Sequence, residues 1–279
     1  MEFIIVFLAS LIPGLFWMWW YYRQDKYEKE PKHLLALVFI TGIPISLLIG
    51  LFEYSIDQAG KQGNIALSES ENILPVILFY LLVVALTEEL GKLAITYLLA
   101  YRHPAFNEPV DGIIYAAASG LGFATFENVF FIINEGPVII LLRGPVSTLG
   151  HVLFSAMWGA ALGLAKFDRL KTTAKRRVIA GLMLAVITHA IFDLIIALGQ
   201  RISEWVALSS ILFLGLLYLV VSRQIAALLN LSQFKPATIA IHTLRDLRQR
   251  RSSENDQHYV PNPYLKKPEI DLKEEEQDR

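Results

Sequence analysis

The sequence predicts an all-α, polytopic membrane bundle of about seven transmembrane helices, and three observations predict it. Of 279 residues, 54% are hydrophobic and only 18% charged. Mean hydropathy is +0.45. Apolar runs of about 20 residues, the length needed to cross a bilayer, recur between short polar stretches. A net charge of −1 offers nothing to draw nucleic acid or an acidic partner. Cysteine is absent, which excludes disulfides, thiolate nucleophiles, cysteine-ligated zinc and iron–sulfur clusters together. Hydrolytic or metal chemistry must therefore use oxygen and imidazole groups.

In chain order the expected spans lie near Phe3–Tyr22, Leu34–Phe52, Leu74–Tyr101, Val110–Ile133, Val146–Ala165, Val178–Leu198 and Trp205–Ile225. The first resembles a secretory signal in position, but it has no basic n-region and ends in WMWWYY, an aromatic cluster suited to an interfacial anchor. It is read as a retained span. Together residues 1–230 form the bundle, with a catalytic core expected at 74–198.

Charge sorting sets the direction of threading. The first connection carries Arg23, Lys26, Lys29 and Lys32, and the one after span five carries Lys166, Arg169, Lys171, Lys175, Arg176 and Arg177 against Asp168. The second connection is acidic, with Glu53, Asp57, Glu69 and Glu71 against Lys61. The positive-inside rule puts the basic loops in the cytoplasm, next to anionic lipid, with the N-terminus outside and the C-terminus inside. The tail, 231–279, is different in composition. Its segment KPATIAIHTLRDLRQRR can place Ile241, Leu244 and Leu247 on one side of an amphipathic helix, and the polar, acid-ending remainder reads as disorder.

Several ionisable residues lie in the apolar runs, where a charge costs roughly 2.5–3.5 kcal/mol even on the milder scales. Span three carries Glu88, Glu89 and Lys92 in LLVVALTEELGKLAITYLL. Glu88 and Lys92 are spaced to pair along one face, leaving Glu89 about 100° away and available. Span four carries Glu127 and Asn128 among phenylalanines that include Phe123, with no neutralising group nearby on the same helix. Span five carries His151, with Ser155 one turn on and a small-residue face at Ala156, Gly159, Ala160 and Gly163 suited to close helix packing. Span six carries His189 and Asp193, four apart, a spacing that lets both bind one ion or lets the acid orient the imidazole.

Depth ties these residues together. At 1.5 Å per residue, Glu88 and Glu89 lie about 20 Å below the outer end of their span, His189 about 14 Å, and Glu127 and His151 roughly 10 Å. One polar chamber in the middle to outer membrane explains all four helices. Such a chamber can bind a divalent metal or activate water through general bases. In the metal reading, His151 and His189 are the nitrogen ligands, and oxygen comes from one or two of Glu88, Glu89, Glu127 and Asp193. A remaining glutamate deprotonates water, and zinc is the expected ion. Lys92 then supports and positions Glu88. The same residue types also build ion-coupled transporters, or a catalytically silent membrane peptide-binding or immunity protein.

TEELGK, GFATFEN, His151 and HAIFD, in that order between Leu74 and Leu198, resemble the four motifs of the PrsW family of intramembrane proteases, distant relatives of the CAAX prenyl protease and bacteriocin-immunity superfamily. The resemblance implies that Glu88 and Glu89 are the family's paired glutamates, Lys92 its motif lysine, Phe123 and Glu127 with Asn128 its second motif, and His151 and His189 its histidines. It implies a multi-span protease of the bacterial inner membrane that cuts a single-span, membrane-anchored protein near the external face. Site-1 cleavage of an anti-sigma factor is the expected role. Many members of the wider superfamily have asparagine where this chain has Asp193. An ionised carboxylate cannot donate to an oxyanion, so Asp193 fits a metal ligand or imidazole orienter better.

Overall fold

The computed structural model describes residues 2–63, 67–168, 170–236, 238–241 and 243–245. Contacts divide the chain into Met1–Gln233 and Phe234–Arg279. The first unit is all helical among its described elements. Its helices are α1 (Glu2–Gln24), α2 (Lys32–Gln62), α3 (Ile73–Tyr101), α4 (Asp111–Glu135), the short α5 (Ile140–Arg143), α6 (Ser147–Lys166), α7 (Lys171–Ile202) and α8 (Glu204–Leu229). All but α5 are long and apolar enough to cross a membrane, so the chain is a polytopic membrane protein. Several run past the apolar stretches that announce them. α2 continues through Glu53, Asp57 and Lys61, and α7 begins at Lys171, because helical hydrogen bonding does not stop where lipid does.

Two helices form the centre. The most apolar 18-residue window is 89% buried in α6 and 72% in α4, against 17–39% in the other five spans. These two are also the least apolar of the seven, since helices wrapped by protein need not present a greasy face to lipid. The expected small-residue face of α6 is what lets them meet. A Cβ on Gly163 would collide with the Pro109 carbonyl, and one on Gly159 would lie 2.6 Å from the Gly112 carbonyl of α4. On its other side α4 approaches α2 through Gly122, where a Cβ would overlap the Phe39 carbonyl. α7 packs on the far side of α6, and α3 closes the ring against α2, α4 and α7.

The helix of α3 is not uniform. It widens to a π-helical winding over Phe79–Ala85 and again over Tyr97–Tyr101. The regular stretch between them, Leu86–Thr96, carries Glu88, Glu89 and Lys92. Such local widening shifts which side chains face inward and is frequent where a helix carries function.

In the tail, helical geometry covers residue 236, 238–241 and 243–245, with Ile239, Ile241 and Leu244 exposed. Leu247 and the stretch expected to be disordered lie outside the described residues.

Candidate active site

Four helices bring their polar residues to one buried cluster. Glu88, Glu89 and Lys92 come from α3, Glu127 from α4, His151 from α6 and His189 with Asp193 from α7. At its centre is the Lys92 ammonium, fully buried and 2.9 Å from each of Glu88 Oε2, Glu89 Oε1 and His151 Nδ1. It also lies 4.5 Å above the Phe123 ring. Glu89 is therefore not the free acid that helical spacing suggests. Lys92 stands three residues from one glutamate and four from the other, and its long flexible stem reaches both.

Glu89 is the most heavily bonded carboxylate. Oε1 also accepts from His189 Nδ1 at 3.0 Å, while Oε2 accepts from Trp158 Nε1 at 2.9 Å and Ser155 Oγ at 3.2 Å. His151, Ser155 and Trp158 stand at i, i+4 and i+7, so one face of α6 supplies all three.

The partners fix the histidine tautomers. Lysine can only donate, so His151 Nδ1 accepts from Lys92 and its proton sits on Nε2, donated to Glu127 Oε2 at 3.0 Å. His189 donates from Nδ1 to Glu89, which turns Nε2 toward Asp193 Oδ2 at 3.5 Å and Glu88 Oε2 at 3.7 Å. Phe154 stacks on the His189 ring, with centroids 4.7 Å apart and planes 19° apart, and holds its orientation.

One ligand atom each from Glu88, His151 and His189 lies within 4.8 Å of the others, with all three residues buried. Two imidazoles and a carboxylate suit a borderline divalent ion such as zinc, so the donor set fits a metal. The oxygen ligand that this geometry selects is Glu88. Of the other acids expected to ligate, Glu89 is consumed by four donors and Glu127 bonds the far nitrogen of His151, while Asp193 Oδ2 faces the same His189 Nε2 at 3.5 Å, buried and without a hydrogen bond, but stands outside the group of three. Lys92 shares two of the three donors, so an ion there would replace its contacts with Glu88 and His151.

Access is one-sided. The side chains of Glu88 and Glu89 are 5% and 0% exposed, whereas Glu127 and Asp193 are each 20% exposed. Glu127 and Asp193 stand toward the C-terminal ends of α4 and α7, so the two part-exposed acids lie on the side of the cluster away from the basic connections.

A PrsW family intramembrane metalloprotease model matches residues 30–222. Curated relatives named Protease PrsW are similar over most of their length. That of Geobacillus kaustophilus is 30% identical over 195 residues, 69% of this chain and 80% of the relative. Those of Clostridioides difficile and Bacillus subtilis are 29% and 28% identical, over 76% and 71% of this chain and 87% and 84% of theirs. The chain belongs to the PrsW family. No solved structure matches it at a significant level.

In this PrsW-family chain the structure brings together every residue singled out from the sequence. Phe123 lines the cluster through Lys92 and lies 6.0 Å from the His151 ring. Asn128 is the most peripheral, donating from Nδ2 to Thr148 Oγ1 at 3.0 Å. Sequence reasoning missed Trp158, Arg143 and Glu53. Trp158 was legible in principle from its i+7 spacing to His151. Arg143 reaches Glu127 from the connection between α4 and α6, at 3.0 Å. Glu53 joins from α2 by accepting from Thr87 Oγ1 at 3.2 Å, one residue before Glu88.

Proposed function

We propose that this chain hydrolyses a peptide bond of a single-span, membrane-anchored protein at the Glu88–His151–His189 centre. The observation that carries the reading is the convergence of those three donors from three helices within 4.8 Å. A bound divalent ion, zinc in our reading, would be held by these residues and would supply Lewis acidity and a more acidic water. The chain's own groups do the rest. Glu89 fixes the His189 tautomer through Nδ1, and Trp158 and Ser155 hold Glu89 in place. Glu127 spends Oε2 on His151 and Arg143, which leaves Oε1 for a water proton on the open side. Asp193 Oδ2, 3.5 Å from His189 Nε2, would offer a second oxygen beside Glu88.

One observation favours a second, metal-free scheme. Lys92 already holds Glu88 and His151 as a built-in cation, which leaves proton transfer to the carboxylates.

The basic loops support a cytoplasmic first connection and C-terminus, anchored at anionic inner-leaflet lipid, in a bacterial inner membrane. The pocket would then open toward the external face. There it would take an extended juxtamembrane peptide, because a helical amide is already hydrogen-bonded. Family membership supports an anti-sigma factor as the substrate.

Purified protein, reconstituted with candidate single-span substrates, should cleave one of them, and Glu89→Gln should abolish turnover while substrate is still bound. Equal turnover by that variant would remove Glu89 from the mechanism, and a wild type that binds but cleaves none of the candidates would replace the protease with a binding protein or transporter. Chelation should remove activity and divalent metal restore it. Undiminished turnover of fully demetallated enzyme would select the Lys92 scheme.

A further inference from the structure

The connection between α4 and α6 does not cap the bundle but turns back into it. α4 runs on to Glu135, yet the first turn of α6 stands beside Asn128, whose amide donates to Thr148 Oγ1 at 3.0 Å. α6 thus begins about 10 Å below the end of its neighbour, seven residues at 1.5 Å each. The chain between them descends alongside α1. Trp17 Nε1 donates to the Gly144 carbonyl at 3.3 Å, and a Cβ on Gly144 would lie 2.9 Å from the Pro13 ring. Irregular backbone at such depth is tolerated where it borders a polar cavity.

The descending segment is two-sided. Val138, Leu141 and Leu142 are 72%, 72% and 67% exposed. Arg143 points the other way, with its side chain only 16% exposed. Its guanidinium lies 3.5 Å over the Phe131 ring, donates from Nε to Asn128 Oδ1 at 3.3 Å and from Nη2 to Glu127 Oε2 at 3.0 Å. That oxygen is the one that accepts from His151 Nε2. A tether for the connection needs no such sharing. Two donors converging on one oxygen fix the carboxylate plane and aim its second oxygen away from both.

We infer that Arg143 is a positioning residue of the reaction, holding Glu127 by Oε2 so that Oε1 faces the water to be deprotonated. The inference rests on the hydrolytic reading and adds the group that aims its base. Planar two-group bonding belongs to guanidinium, and an ammonium supplies charge without the fork.

The test compares kcat and KM of purified wild type, Arg143→Gln, Arg143→Lys, Glu127→Gln and the Arg143→Gln/Glu127→Gln double variant on one single-span substrate, with Glu89→Gln as control. Arg143→Gln should lower kcat about 10- to 100-fold with KM little changed, and lysine should restore part of the loss. The double variant should be no slower than Glu127→Gln alone, because Arg143 acts through that carboxylate. Multiplying losses in the double variant, or wild-type kcat in either Arg143 variant, would overturn the inference. Should the glutamine variant not fold, Arg143→Lys and its double with Glu127→Gln give the same comparison. A wild type that cleaves no single-span substrate would instead overturn the hydrolytic reading itself, whatever Arg143 does, while an active Glu89→Gln enzyme would remove only Glu89 from it.

Discussion

The bundle buries two clusters of acids, and they are neutralised in opposite ways. In the active-site cluster the central carboxylates face bases or cations: Glu88 and Glu89 face Lys92, Glu89 also faces His189, and Glu127 faces His151 and Arg143, while Glu53 at its edge accepts from the neutral Thr87 hydroxyl. At the end bearing the basic connections, Asp25, Glu30, Glu108 and Asp111 are at most 1% exposed. Their bonds come from neutral donors. Asp111 Oδ2 accepts from the backbone amides of Asn107 at 2.7 Å and Glu108 at 2.6 Å, Glu30 accepts from the Tyr115 hydroxyl, and Asp25 Oδ2 accepts from the Glu30 amide at 3.3 Å. Lys29 and Lys166 spend their ammonium groups on the carbonyls of Tyr22 and Tyr101. Burial, then the neighbouring Asp111 carboxylate, pushes Glu30 up to about 10, and burial raises Glu108 to about 7 and Asp25 to about 6. Burial thus accompanies two outcomes, a cluster held charged by its bases and cations and one whose carboxyls are pushed toward the protonated form and fasten helices together.

If that contrast is right, the largest effects belong to the charged cluster. His189→Ala removes a ligand and the partner of Glu89 at once, and should cut turnover by on the order of 10²- to 10⁴-fold. The bound metal per protein, measured by elemental analysis, should fall with it. Wild-type turnover in the purified variant would remove His189 from the mechanism. A smaller effect sharpens the assignment of Glu89. Trp158→Phe deletes one of its donors but keeps a large apolar side chain, and should lower kcat about tenfold. Thermal melting should be followed alongside, since Trp158 is fully buried and some destabilisation accompanies its loss. A variant that is destabilised but turns over at the wild-type rate would make Trp158 a packing residue only.

The seven spans were legible because a bilayer demands about 20 apolar residues at a time. Glu88, Glu89, Lys92, Glu127, His151, His189 and Asp193 were legible for the converse reason, as charges and imidazoles where lipid tolerates none. What the pattern could not show was who bonds whom. The double reach of Lys92 depends on side-chain length, and the choice of Glu88 as oxygen donor depends on which acids are already consumed. Arg143 was hidden because it stands in the connection between two expected spans, where a charge is unremarkable. Only the descent of that connection beside α4 brings it to Glu127. Trp158 carries no charge to mark it out in an apolar span, although its spacing from His151 places it on the active face.

The acid cluster at the basic end yields the smallest effect on turnover and the sharpest test of the contrast. Glu30 titrates about 10 when folded and near 4.5 when unfolded, so between those values the folded state holds a proton that the unfolded state has released. Its stabilisation is complete below about pH 4.5 and is lost as pH rises toward 10, by at most about 1.4 kcal/mol per pH unit for a single group. Asp25 and Glu108, raised less, add to the same slope in its acidic half. Glu30→Gln is neutral at every pH and still offers an oxygen to the Tyr115 hydroxyl. Its unfolding free energy in detergent should therefore fall less steeply between pH 5 and 9 than that of wild type, with kcat unchanged at neutral pH. The same substitution at Glu89 should instead abolish kcat. An identical pH slope in the Glu30 variant would mean that this carboxyl is ionised in the folded chain, and the two clusters would then differ in place but not in kind.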